Sequence, residues 1–170
     1  MLRPATDADV EPIRRWRNHP EVRAVSLTQD EIDPDTHARW WAGLQGDPSR
    51  RVLVYERGGV PCGVVTFFDI AAADDGTRSA MWGYYLDNAG LGERGELLPA
   101  WMQIQREAVR YADAELDLDV LEGEVLDQNA AVRRMNRRNG FVEVSSDERQ
   151  IGDATVTVHR VRRERPADKS

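Results

Sequence analysis

The chain reads as a single α+β domain built around a mixed sheet. Three observations predict this. Apolar residues recur at helical spacing in the first 45 positions, whereas from about residue 50 they follow the period-two pattern of strands and hairpins. A helix, a lone strand and another helix then follow, and a hairpin closes the chain. Finally, 170 residues are enough for one domain with a proper hydrophobic core.

Each element has its own local cause. MLRPAT suits a short first strand. In TDADVEPIRRWRN, Thr6 is a helix cap, acidic residues fill the first turn, and Val10, Ile13 and Trp16 fall on one face. HPEVRAVSLTQDEIDP is polar and broken by prolines, which predicts a short helix followed by a loop. DTHARWWAGLQ restores the helical pattern, with Asp35 as its cap. RRVLVYE, RGGVP and CGVVTFFDI read as strand, hairpin turn and strand, and RSAMWGYYLDN as a third strand. A long helix is expected from Leu98 to Glu115, with Pro99 in its first turn and Trp101, Ile104, Gln105, Ala108 and Tyr111 along one stripe. DVLEGEV is a strand, NAAVRRMNRRN a helix, and FVEVSSDERQ–IGD–ATVTVHRVR a closing hairpin. The domain spans 1–162, and 163–170 reads as a disordered tail.

Charge and cysteine content narrow the function. With 23 Lys+Arg against 30 Asp+Glu the formal net charge is −7, a poor balance for a nucleic-acid or membrane-surface binder. No apolar run reaches membrane-spanning length and the start lacks a signal-peptide core, so a cytoplasmic protein is expected. The single Cys62 lies in an apolar strand and reads as a small buried hydrophobe. Against this acidic background NAAVRRMNRRNGF is a local concentration of arginine. Arg133, Arg134, Arg137 and Arg138 could meet an anion, most plausibly through Arg133 or Arg138; the competing reading is a solvated face paired with nearby carboxylates.

Asn129, Val132, Met135, Arg138, Gly140 and Phe141 carry a spacing that resembles the late signature of the GNAT acyl-CoA N-acyltransferase superfamily, with Val132 where a smaller residue is usual. The resemblance implies a GNAT-like fold, a central mixed, mostly antiparallel twisted sheet flanked by helices, and acetyl-CoA or another acyl-CoA as co-substrate. WRNHPEVR, HARWW and GVVTFFDI…WGYYLDN look like the subgroup that acetylates nucleotide-linked amino sugars, of the pseudaminic-acid pathway type. Ribosomal-protein N-terminal acetyltransferases share much of the frame. The implied chemistry is direct attack of a primary amine on a thioester held against MWGYYLDN, with a backbone N–H near Tyr85 or Leu86 polarising the carbonyl.

By the same resemblance, Asn129 would cap its helix or hold the pantetheine arm, Arg133 and Arg138 would meet phosphates, and Gly90, Gly92, Arg94 and Gly95 would cradle the pyrophosphate. Three positions depart from the family pattern. Asp87 stands where the phosphate loop usually begins with Gln or Arg. Met81 stands where many relatives place a basic glutamate, leaving Asp69 as first choice of base and Glu124 or His37 as others. Asn136 stands where many relatives place an acidic tyrosine; an amide can hydrogen-bond sulfur but is no acid, and Tyr84 or Tyr85 could substitute. On the acceptor side Arg17, Asn18, Arg23 and Trp82 are the expected contacts. A small-molecule amine is the expected partner and a homodimer is allowed for. A protein N-terminus or antibiotic-like amine is the alternative acceptor, and a catalytically degenerate binding module the non-enzymatic alternative.

Overall fold

The computed structural model describes residues 1–167. In chain order these form β1 (Leu2–Pro4), a 3-10 turn (Asp7–Asp9), α1 (Val10–Asn18), α2 (Pro20–Ala24), α3 (Pro34–Leu44), β2 (Arg51–Arg57), β3 (Val60–Ala72), β4 (Arg78–Leu86), α4 (Asn88–Glu93), α5 (Leu97–Ala114), β5 (Val120–Leu126), α6 (Ala130–Arg138), β6 (Val142–Ile151) and β7 (Ala154–Glu164).

Local chemistry explains most boundaries. The Asp33 carboxylate accepts from Thr36 N at 2.8 Å and Pro34 sits just inside α3, so the cap is Asp33 and the expected Asp35 lies in the first turn instead. Gly58 and Gly59 both take positive φ, +55° and +78°, as a tight hairpin turn between β2 and β3 requires. Gly140 leaves α6 at φ +87° and delivers Phe141 into the core at 2% exposure. Pro99 is the third residue of α5 and lies in its first turn, as expected, and the helix begins at Leu97, one residue earlier than expected. DNAGLGER, read as a loop, instead holds the short helix α4, because Asp87 accepts from Gly90 N at 3.0 Å and caps it. Ordered structure also runs past the expected boundary at 163, with β7 reaching Glu164. Arg163 is buried against Asp113 at 2.8 Å, and Arg165 pairs with Asp117 at 2.6 Å and Asp119 at 3.0 Å. Asp168, Lys169 and Ser170, expected to be disordered, lie outside the described residues.

The seven strands run in the order β1-β2-β3-β4-β5-β7-β6, antiparallel throughout except where β4 meets β5. Strand alternation sends neighbouring residues to opposite faces. Leu53, Val65, Phe67, Trp82, Leu121 and Val161 belong to a core shared with Ala100, Ile104, Ala108 and Ala112 of α5. Val54 and Val64 face the other way, against Ile13 and Trp16 of α1. Burying side chains of this size contributes about 1.5–3 kcal/mol each.

Function depends on the one parallel junction. β4 and β5 pair only as Ser79↔Val120, Ala80↔Leu121 and Met81↔Glu122. Beyond Met81, β4 stays on β3 as far as Leu86↔Gly63 while β5 stays on β7 as far as Leu126↔Val158. The sheet therefore splits in its middle.

Candidate active site

The split opens a cleft of about 510 Å³. Trp82 to Leu86 form one lip and Gly123 to Val125 the other. Leu97, Leu98 and Trp101 of α5, Asn129 just before α6, and Val132 and Asn136 of α6 close one side, and Glu21, Val22, Val25 and Ser26 the other. Most of this wall is apolar. Its only ionisable carboxylates among the described residues are Glu21 and Glu124, and neither Lys nor Arg lines it.

Backbone pairing gives the lips their polarity. Asp87 N donates to Cys62 O at 2.8 Å, so Asp87 and, two residues back, Tyr85 spend their backbone groups on β3. By alternation the N–H groups of Tyr84 and Leu86 point into the gap. On the facing lip Asp127 N donates to Thr157 O at 2.9 Å, which leaves the backbone of Glu124 and Leu126 turned inward. The two unpaired edges can accept an extended, amide-bearing chain as if it were a further strand. This corrects the expectation at Tyr85: its own N–H faces β3, and its ring packs on the Ile13–Trp16 side of the sheet.

Several anticipated residues do meet at the cleft. Leu86, Asn129, Asn136, Trp82 and Tyr85 all line it. Asn136, 5% exposed, accepts from Gln105 Nε2 at 2.7 Å. Trp82 lies flat between Phe67, Tyr84 and Phe141, a packing residue at the cleft floor whose ring faces are already covered. Asn129 begins α6, yet its side chain makes no capping bond.

Others are placed elsewhere. Asp69 is exposed in the irregular stretch of β3 after Phe68, at φ +52°, and does not line the cleft. His37 is 4% exposed with Nε2 on Val10 O at 2.8 Å, joining α3 to α1; burial lowers its pKa and keeps it neutral. Of the three candidate bases only Glu124 reaches the cleft, where it pairs with Arg149.

Gly90, Gly92, Arg94 and Gly95 lie outside the cleft wall. Gly90 N is occupied by the Asp87 carboxylate, and Arg94 leans on Glu96 at 3.4 Å. Arg133 sends its fork to Glu143 at 2.8 and 3.0 Å and to Asp127 at 3.1 Å, so it braces α6 against β6. Arg138 is exposed and makes no ion pair or hydrogen bond among the described residues.

The three polar residues expected to touch an acceptor hold the segment after α2 instead. Asn18 donates to Ile32 O at 2.9 Å and accepts from Ile32 N at 2.8 Å. Arg23 donates to Gln29 O at 2.9 Å. Arg17 donates to Thr28 O, while its Nη1 is buried without a partner and burial lowers its pKa. Sequence reasoning passed over Trp101, whose indole reaches the Tyr84 hydroxyl at 3.0 Å, and Glu21 on the rim. Helical spacing marked Trp101 only as core, and nothing in the sequence ties Glu21 to a cleft between distant strands.

Comparison with known proteins agrees with this geometry. A family profile described as "Acetyltransferase (GNAT) domain" matches residues 1–142. A curated relative, the acetyltransferase PseH of Campylobacter jejuni, is 26% identical over 139 residues, covering 82% of this chain and 80% of its own. The crystal structure of C. jejuni PseH in complex with acetyl coenzyme A superposes with a TM-score of 0.66 at 17% identity, covering 98% of this chain and all of the other. Spermidine N-acetyltransferase from Vibrio cholerae, in complex with CoA and spermine, gives 0.79 at 17% identity over 95% of this chain and 93% of its own.

Proposed function

Because the chain belongs to the GNAT acetyltransferase family, whose members take an acyl group from acyl-CoA, we propose that it acetylates the primary amine of a small molecule, by preference an amino sugar or its nucleotide conjugate. One observation carries this reading: β4 and β5 part after Met81 and leave two unpaired strand edges facing an apolar cleft. A pantetheine arm is a chain of amides and methylenes. It fits that gap by hydrogen-bonding to the edges and burying its methylenes against Leu97, Val125 and Val132.

In this reading the thioester carbonyl receives the N–H of Leu86 or Tyr84. One such donor, aimed where negative charge develops, accelerates acyl transfer by roughly 10²–10³. The amine nitrogen bonds to the carbonyl carbon, and the carbon–sulfur bond breaks with its electron pair going to sulfur. Glu124 takes the amine's proton, directly or through water; it supplants Asp69 because it alone of the candidates lines the cleft. The phosphate end is less well furnished. Asp87 occupies Gly90 N and Pro99 removes an N–H from the first turn of α5, leaving exposed arginines such as Arg138 to meet the phosphates.

The amino-sugar preference rests on the sequence likeness to that subgroup and on the PseH relative. A second reading, a cationic amine of the polyamine kind, is favoured by the Glu21 carboxylate on the rim, since Glu124 already has Arg149 as its counter-ion. Calorimetry with acetyl-CoA, followed by free-thiol release with nucleotide-linked amino sugars, polyamines and N-terminal peptides, tests the proposal. Binding with release on an amino sugar supports the first reading and release on a polyamine the second. Tight binding without release on any amine leaves a degenerate module, and no binding defeats the enzymatic readings together.

A further inference from the structure

We propose that the Tyr84 hydroxyl is the hydrogen-bond donor to the departing sulfur, and that α5 aims it there. The inference rests on the acyltransferase reading above and adds the group that receives the leaving thiolate.

The sequence offered Tyr84 and Tyr85 equally, and strand alternation separates them. The Tyr85 ring packs with Ile13, Trp16, Val54 and Val64 on the α1 side. The Tyr84 ring lies on the α5 side, stacked on Trp82 with centroids 5.2 Å apart, and lines the cleft with Trp101 and Asn136. The Trp101 Nε1–H donates to the Tyr84 oxygen at 3.0 Å. An indole nitrogen can only donate, so this bond fixes the roles: the phenol oxygen accepts there and its own proton is left over. No acceptor for that proton is found among the described residues. One turn along α5, Gln105 holds Asn136 by its oxygen at 2.7 Å, leaving the Asn136 Nδ2–H free. Trp101 and Gln105, four residues apart on one helix face, thus leave two donors on adjoining parts of one cleft wall. An ordinary phenol, with a pKa of about 10, already carries its proton near neutral pH, and burial raises that of Tyr84 further.

Proton accounting is consistent with a donor that never ionises. The amine's proton leaves through Glu124 or water. The sulfur departs as a thiolate, which Tyr84 stabilises by hydrogen bonding, as an ordinary phenol (pKa ~10) is a weaker acid than an ordinary thiol (~8.5). Solvent protonates the thiolate on release. Tyr84 therefore contributes in the direction of the acid tyrosine that position 136 lacks, without transferring a proton.

The test needs no knowledge of the acceptor. Free coenzyme A is bound to wild type and to Tyr84→Phe, which keeps the ring and its stacking. The thiol of the bound ligand is then titrated by the ultraviolet absorption of its thiolate. A hydrogen bond to a charged group predicts a thiol acid dissociation constant about tenfold smaller in Tyr84→Phe. Trp101→Phe, which removes the group that orients the phenol, shifts it the same way by less. Equal acid constants in wild type and Tyr84→Phe overturn the proposal. So does loss of coenzyme A binding in Tyr84→Phe, which would assign the hydroxyl to holding the arm. Failure of wild type to bind coenzyme A would instead defeat the acyltransferase reading itself.

Discussion

Gln105 Nε2 donates to Asn136 Oδ1 at 2.7 Å, between two side chains that are both withdrawn from solvent, while Gln105 Oε1 has no partner. A fully buried glutamine with one satisfied end is a poor stabiliser, because its orphan oxygen offsets what the bond contributes. Its physical sense is to hold Asn136 at the cleft wall. Gln105→Leu removes the bond and the orphan oxygen of Gln105 but leaves Asn136 Oδ1, on a side chain 5% exposed, without its donor, so the unfolding free energy should fall by no more than about 1–2 kcal/mol. Turnover in the free-thiol assay should nevertheless fall about tenfold, since a freed amide loses its aim by roughly the worth of one hydrogen bond. Unchanged turnover would leave Asn136 as packing only.

Under the proposed function the coenzyme A phosphates would lie near the start of α4, where Asp87 places a carboxylate of the same sign. Asn is as good a helix cap as Asp. Asp87→Asn should therefore leave the melting temperature nearly unchanged, because Gly90 N keeps an acceptor. It should also tighten coenzyme A binding several-fold at low salt, with the gain shrinking as ionic strength rises. Calorimetry at two salt concentrations measures this; weaker binding by the variant would mean that the carboxylate positions the loop for phosphate.

The helix arginines should separate into two kinds. Arg133 spends its fork on Glu143 and Asp127, so Arg133→Ala should lower stability by about 0.5–1 kcal/mol and leave the coenzyme A dissociation constant within twofold. Arg138 has no such partners among the described residues. Arg138→Ala should leave stability unchanged and raise the dissociation constant about three- to tenfold, an effect lost in high salt. Equal effects from both variants would return the basic helix to being a solvated face.

How far these residues could be read from the sequence follows from the range of the interactions that place them. The hairpin at Gly58–Gly59, the exit at Gly140 and the spacing from Asn129 to Phe141 are local, and local steric rules made them legible. Even the misplaced cap in PDTH was a displacement of two residues within one correct helix. The cleft is different, since it depends on how far β4 and β5 pair, and those strands are some forty residues apart. Asp69 and His37 looked suitable by chemical type, yet one sits on an outer bulge and the other is sealed between helices. Arg17, Asn18 and Arg23 were read as ligand contacts because arginine forks suit anions. The carbonyls of the segment they brace carry no signal in a sequence.

Asp9 was no more than an acidic first-turn residue in the sequence, and it gives the prediction with the clearest sign. Only 4% exposed, it accepts from both Arg3 terminal nitrogens at 2.8 and 2.9 Å and from Thr6 N at 2.8 Å, tying the first strand to the start of α1. The hydrogen bonds from Arg3, opposed by burial and aided by Thr6, hold its carboxyl below the usual aspartate range. A group depressed in the folded state stabilises fully above its unfolded value, about 3.9, and loses that contribution as pH falls through the depressed folded value. Arg3 stays charged throughout and also pairs with Glu56, so the difference between wild type and an Asp9 variant is what isolates this limb. Asp9→Asn should lower stability at pH 7 by about 1.5–3 kcal/mol, the worth of a charge-assisted hydrogen bond. The gap between variant and wild type should then narrow below about pH 4 as the wild-type carboxylate is protonated. Denaturant unfolding at pH 7 and in acid measures both, and a gap that stays constant into acid would show that the Arg3–Asp9 pair is not what ties β1 to the helix.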